Sequence, residues 1–129
     1  MARDRVWLAT AVAAAAHAEQ LAEHGGGEGV RDAGLLESAM ARPQNLAAYG
    51  DPDAAELAAA YAYGIARNHP FVDGNKRTAA VVSETFLMLN GHTLVSSDAE
   101  LVVAFVALAA GDLTEDDLAD WFRDHLRSA

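Results

Sequence analysis

The chain has 129 residues, of which 52% are apolar and 22% are charged, and its formal net charge is −10. These values predict a single globular domain, residues 1–129, and they exclude a disordered chain. Nine basic residues against nineteen acidic ones cannot form the broad basic face that duplex nucleic acid requires. We therefore expect no direct DNA binding, whereas a local positive pocket for a small anion is still possible.

The chain contains no cysteine, which excludes disulfides and cysteine-ligated zinc and fits a reducing cytoplasm. The start of the chain, "MARDRVWLATAVAAAAHAEQ", imitates a cleavable signal peptide because basic residues precede an apolar run and Ala-His-Ala. Thr10 interrupts that run, however, and the helical pattern continues into the polar "HAEQLAEH". An ordinary first helix in a cytoplasmic protein without membrane contact is the favoured interpretation, since no apolar stretch is long enough to span a bilayer.

The first half of the chain predicts two helices and a loop. The first helix runs from about Thr10 to His24 and ends at "GGGEG", because glycines cannot sustain a helix. Asp32 is a good N-cap for a second helix, which Pro43 is expected to end. The following "PQNLAAYGD" is predicted to be a loop, in which "NLAAY" could form a hairpin arm.

Two central helices follow. Asp51-Pro52 is expected to open the third helix, and Leu57, Tyr61 and Ile65 form an apolar stripe on it, spaced by four residues. Pro70 ends this helix. Asn75 is the expected N-cap of a fourth helix that starts at about Lys76 and ends at Asn90-Gly91. Its buried face is predicted to contain Val82, Phe86 and Leu89.

The last part of the chain predicts an extended link and two more helices. "HTLVSS" is the link, and its "HTLV" could form a second hairpin arm. Ser97 and Glu100 form a capping box for a fifth helix that Gly111 ends, and Thr114 caps a sixth. The predicted fold class is therefore all-α, a compact single-domain bundle of about six helices.

The stretch "RNHPFVDGNKRTAA" holds three of the nine basic residues of this acidic chain, namely Arg67, Lys76 and Arg77. Unpaired backbone N–H groups at a helix start attract anions, and two cations in the same first turn are unfavourable unless an anion sits there. A bound polyphosphate would explain Lys76 and Arg77. Arg67 could reach the phosphates or cap the end of the third helix, and these two alternatives are equally weighted.

The same stretch contains a carboxylate and an imidazole. Asp73 beside bound phosphates is the usual kind of anchor for Mg²⁺. His69 could take a proton from an attacking hydroxyl, as a general base does. The plainer interpretations are a solvated Lys76–Arg77 pair and a helical metal pair formed by the histidine and the aspartate, and Pro70 and Gly74 make the latter improbable. Phe71 is expected to pack in the core and support the loop.

The stretch "HPFVDGNKRT" resembles the signature loop of the Fic/Doc superfamily and is closest to its death-on-curing (Doc) branch. "RDAGLLESAMARPQN" resembles the same branch, and the resemblance covers essentially the whole chain. It implies an all-α bundle with this loop between two central helices. It also implies a toxin of a toxin–antitoxin pair that phosphorylates a threonine of elongation factor Tu with ATP and Mg²⁺ and so stalls translation.

The resemblance further implies a role for each residue of the loop. These are His69 as catalytic base, Phe71 as buried anchor, Asp73 as Mg²⁺ ligand, Gly74 and Asn75 as an anion-binding turn, and Arg77 as the phosphate-binding arginine.

Two departures from the Fic pattern HPFx(D/E)GNGRxxR bear on the chemistry. Lys76 stands where that pattern has a second glycine, and Ala80 stands where it has its last arginine. Both changes disfavour adenylyl transfer and match the Doc branch, whereas Gly74 is commoner in Fic proteins. Adenylyl transfer is thus the alternative activity, and a non-catalytic scaffold that binds nucleotide or antitoxin is a second one.

The inhibitory motif of autoinhibited Fic proteins, (S/T)xxxE(G/N), is matched only in part by Ser96 to Glu100. The resemblance therefore implies a separate Phd-like antitoxin chain. The isolated residues Glu37, His17, His24 and His92 receive no functional role from the sequence.

Overall fold

A computed structural model describes residues 4–128, which form six helices and one two-stranded sheet. The helices are α1 (Thr10–His24), α2 (Ala33–Ala48), α3 (Ala54–Asn68), α4 (Asn75–Leu89), α5 (Asp98–Ala110) and α6 (Glu115–His125), and the strands are β1 (His92–Leu94) and β2 (Leu126–Ser128). The prediction of an all-helical fold is confirmed. Within the described residues no helix combines the length and the apolar character needed to cross a membrane.

Helix α3 lies at the centre of the bundle and packs against α2, α4 and α6. Its predicted stripe of Leu57, Tyr61 and Ile65 is fully buried. Alanines cover most of its remaining surface, so neighbouring helices approach closely. The closest approach is at Gly64, where an added Cβ would lie 2.9 Å from the Cα and Cβ of Ala39 on α2. The absence of a side chain at Gly64 thus lets α2 pack closely against α3.

The prediction that Pro43 ends the second helix is wrong. Helix α2 continues to Ala48 with Pro43 inside it, so "NLAAY" is largely helical and forms no hairpin arm. A proline inside a helix costs a backbone hydrogen bond and strains the preceding turn. Here the ring is buried in the core, and the apolar contacts that it makes there offset that cost.

The starts of α3 and α4 also differ from expectation. Helix α3 begins at Ala54 rather than at Asp51-Pro52, because Asp53 accepts a hydrogen bond from the Glu56 N–H and completes a capping box. Helix α4 is capped by Gly74 in the left-handed conformation, and Asn75 is its first residue and not its N-cap. Leu89, expected in the core, is 48% exposed.

The C-terminal part of the chain closes the bundle. The predicted capping box of α5 at Ser97 and the predicted cap of α6 at Thr114 are confirmed, and α5 ends at Gly111. Strand β1 pairs antiparallel with β2 at the end of the described chain, so "HTLV" forms a strand but not a hairpin arm of its own.

Helix α6 is tied to the start of α3 by Arg123. Its guanidinium donates to both carboxylate oxygens of Asp53, at 2.7 and 3.2 Å, and also pairs with Glu56 and Asp120. Partial burial alone would raise the pKa of Asp53, but the hydrogen bonds from Arg123 and from the Glu56 N–H outweigh it and hold that pKa below its usual value. The same partners raise the pKa of Arg123.

Candidate active site

The loop between α3 and α4, residues 69–74, is held closed by the side chain of Asn75. Its Oδ1 accepts from the N–H of Phe71, and its Nδ2 donates to the carbonyl of Phe71, both at 3.0 Å and both buried. The Phe71 ring is itself buried, 1% exposed, within the core. Asn75 and Phe71 therefore fix the backbone of the loop, whereas Asn75 was predicted as a helix cap.

The N-terminus of α4 presents free backbone donors together with positive charge. No side chain caps it, and its first turn contains no acidic residue. Gly74 adopts φ +75, a conformation that glycine reaches at no steric cost. Lys76 and Arg77 are both exposed in this first turn. Two cations at the positive end of a helix dipole destabilise the helix, and an anion bound there would offset that cost.

Asp73 lies immediately before this turn with its carboxylate exposed. Oδ1 accepts a hydrogen bond of 2.8 Å from the Gly74 N–H. In the part of the chain that the structure describes, no group of three or more acidic or histidine side chains could hold a metal by itself. A lone exposed carboxylate fits Mg²⁺, which keeps several waters and takes its other ligands from substrate phosphates.

His69 directly follows α3 and is its C-cap residue. It has φ 49 and ψ 55, in the left-handed region, and its imidazole is exposed. Its N–H donates to the carbonyl of Ile65 at 3.3 Å. A histidine whose backbone adopts the left-handed conformation costs on the order of 1 kcal/mol, so surrounding contacts must hold this backbone in place.

Arg67 lies elsewhere. Its Nη1 donates to the carbonyl of Ala109 at 3.2 Å, near the C-terminal end of α5, and an added Cβ on Gly111 would lie 2.9 Å from the same nitrogen. The guanidinium thus caps α5 and not its own helix, α3. A phosphate-binding role for Arg67 stays a prediction.

His17 is a residue of the site that sequence reasoning missed. It is 4% exposed, and its ring stacks on that of Phe71 with centroids 3.9 Å apart and an interplanar angle of 7°. Its Nε2 lies 2.8 Å from the carbonyl oxygen of Asp73. The imidazole thus supports the loop from behind, at Phe71 and at Asp73. The sequence carried no signal for this contact, since 56 residues separate the two partners.

The segment 26–32, which belongs to the link between α1 and α2, also holds the loop in place. The Val72 N–H donates to the carbonyl of Gly29, and Val30 forms an isolated β-bridge with Phe71. Arg31 binds the backbone of the loop as well. At Gly26 an added Cβ would lie only 2.7 Å from Oδ2 of Asp73. The glycines therefore do more than end a helix, because they allow this segment to approach the Asp73 carboxylate.

An apolar cleft of about 470 Å³ opens beside the braced loop. Helix α1 contributes His17 and Leu21 to its wall, the segment 26–32 contributes Gly26 and Val30, and Phe71 also lines it. The loop is thus flanked by a concave surface large enough for a small-molecule group or part of a helix.

Comparison with known proteins agrees with this geometry. A family model described as "Fic/DOC family" matches residues 7–87, which includes α1 to α3, the whole loop and most of α4. The chain belongs to the Fic/Doc family.

Two curated relatives are Doc proteins. The chain is 36% identical over 110 residues to "Protein kinase doc" of Escherichia phage P1, covering 84% of this chain and 86% of that protein. It is 49% identical over 75 residues to "Toxin Doc" of Mycolicibacterium smegmatis, covering 56% of this chain and 57% of that protein. The chain thus spans little more than half of the mycobacterial relative and most of the phage relative. The resemblance of the signature loop to the Doc branch is confirmed.

Proposed function

We propose that this Fic/Doc chain is the toxin of a toxin–antitoxin pair and transfers the γ-phosphoryl group of Mg-ATP to a threonine hydroxyl of elongation factor Tu. The observation that carries the proposal is the uncapped start of α4, with Lys76 and Arg77 exposed in its first turn and His69 at the other end of the same short loop. The names of the two relatives, one a toxin and one a protein kinase, support it.

Each side chain has a defined task in this reaction. The planar guanidinium of Arg77 binds two phosphate oxygens, and the ammonium of Lys76 adds a point charge. The N–H groups that follow Gly74 donate to the same phosphates. Asp73 holds Mg²⁺, which, when bound, neutralises part of the phosphate charge.

His69 acts on the acceptor. One nitrogen of its imidazole accepts the proton of the attacking hydroxyl as the new oxygen–phosphorus bond forms and the bond to the β–γ bridging oxygen breaks, so that ADP leaves. Such base catalysis contributes roughly 10²–10⁴ to the rate. His69 ends α3 while Lys76 and Arg77 open α4, so one short loop carries both the base and the phosphate-binding groups.

Labelled ATP distinguishes this activity from adenylyl transfer. Purified protein is incubated with elongation factor Tu and ATP that carries the label on either the γ- or the α-phosphate. We expect label on the factor from γ-labelled ATP alone. Transfer of α-label would establish the adenylyltransferase alternative and show that Lys76, which replaces the glycine of the Fic pattern, leaves room for the other nucleotide pose.

Expression in cells distinguishes an enzyme from a scaffold. We expect wild-type protein to arrest growth and His69→Ala to be harmless while its helical circular dichroism and melting temperature are kept. Growth arrest by a folded His69→Ala variant would favour a protein that acts by binding alone. We also expect a Phd-like antitoxin, encoded by a neighbouring reading frame, to restore growth when it is co-expressed with the wild type.

A further inference from the structure

Arg31 binds three consecutive backbone carbonyl groups, at the last residue of α3 and the first two residues of the loop. Its Nε donates to the carbonyl of His69 at 2.7 Å and its Nη2 to that of Asn68 at 2.9 Å. Its backbone N–H donates to the carbonyl of Pro70 at 2.7 Å. One residue of the α1–α2 segment therefore fixes the chain before, at and after the proposed base.

These bonds meet a need that is specific to this position. The last carbonyls of a helix have no partners within it, and a cation beside them also interacts favourably with the helix dipole. His69 is, in addition, the one non-glycine residue with positive φ within residues 4–128. Rotation of its backbone out of the left-handed region would swing the imidazole away, so the bonds to its carbonyl bear directly on where the ring points.

We infer that Arg31 is a positioning residue for the transfer reaction, which fixes the imidazole of His69 toward the acceptor hydroxyl through the carbonyls of Asn68 and His69. The inference rests on the proposed function. Both Nε and Nη2 of the guanidinium donate hydrogen bonds. A lysine cannot replace this arginine, because an ammonium is a single point charge without fixed geometry. The side chain is exposed, so its removal is expected to leave the bundle folded.

Kinetics of three variants separate positioning from simple helix capping. We expect Arg31→Ala to lower kcat by about 10- to 100-fold with little change in the KM for Mg-ATP, as for a displacement of the base by roughly 1 Å. Arg31→Lys keeps a cation at the helix end and should regain the melting temperature but not kcat. Arg123→Ala, which removes an exposed and equally well bonded arginine far from the loop, should keep kcat.

A spectroscopic readout keeps the test independent of the reaction. The ring resonances of His69 in isotope-labelled protein should shift and broaden in Arg31→Ala, and amide exchange at residues 69–72 should become faster, whereas Arg123→Ala should change neither. Unchanged His69 resonances in Arg31→Ala, or recovery of kcat in Arg31→Lys, would overturn the inference. Absence of transfer by the wild type would instead overturn the proposed function and leave the spectroscopic result to decide the role of Arg31.

Discussion

Substitution of Gly26 by alanine should impair the reaction through Asp73. The added methyl would lie 2.7 Å from Oδ2 and 3.3 Å from Cγ of Asp73, and 3.2 Å from Cδ2 of Leu21. Normal contacts of a methyl group are about 3.5 Å or longer, so the carboxylate must move by about 1 Å. A displacement of that size in a reacting assembly costs up to ~10² in rate. We therefore expect transfer to be 10- to 100-fold slower, on the order of the loss for such a displacement. Half-maximal activity should also need a higher Mg²⁺ concentration.

Gly25→Ala is the matched control for this substitution. Gly25 also has a positive φ, +74, but an added Cβ there meets nothing within 4 Å. Both variants therefore carry backbone strain, worth about 1–3 kcal/mol, and only Gly26→Ala disturbs the carboxylate. Transfer rates are measured across a Mg²⁺ titration in both. Equal rates and equal Mg²⁺ dependence in the two variants would refute the claim that Gly26 leaves the space that the Asp73 carboxylate occupies.

Three further substitutions test contacts that hold the bundle and the loop together. Gly64→Ala should lower the free energy of unfolding by about 1 kcal/mol in urea titrations, because overpacking against Ala39 outweighs the better helix propensity. Asn75→Ala should cost about 2–4 kcal/mol and abolish transfer, because two buried backbone groups of the loop lose their partners. Arg123→Met should cost about 1 kcal/mol at pH 7 and flatten the fall of stability toward acid pH.

The sign of the acid effect follows from the pKa of Asp53. Because that pKa is lowered in the folded protein, the interaction with Arg123 contributes its full stability above the pKa of an unfolded aspartate, near 3.8. The contribution is lost as the pH falls from there through the lower folded value. Thermal melts between neutral pH and pH 2 measure it, and identical acid limbs for wild type and Arg123→Met would contradict this assignment.

Local signals in the sequence were sufficient for much of the fold. Asp32, Ser97 and Thr114 cap helices as predicted, because a capping hydrogen bond joins residues three apart and needs nothing from the rest of the chain. Pro43 shows the limit of such reasoning. Burial against the bundle keeps α2 helical beyond it, and that burial depends on contacts distant in sequence.

In the site, too, the local features were predictable from the sequence and the long-range contacts were not. The loop motif placed His69, Asp73 and the two cations at the ends of neighbouring helices, as one continuous stretch must. The supports of the loop were not predictable, because His17 and Arg31 reach it across 56 and 38 residues. The contact of Arg67 with the carbonyl of Ala109 was not predictable for the same reason, since Ala109 lies 42 residues away on another helix.

The most direct test of the account is the single-turnover rate of γ-phosphoryl transfer by His69→Ala, measured with Mg-ATP bound at saturation. The account predicts that this variant binds Mg-ATP as the wild type does, through the start of α4, and transfers about 10²–10⁴ times more slowly. Transfer at the wild-type rate by the same variant would contradict the central claim that the imidazole at the end of α3 is the base of this reaction.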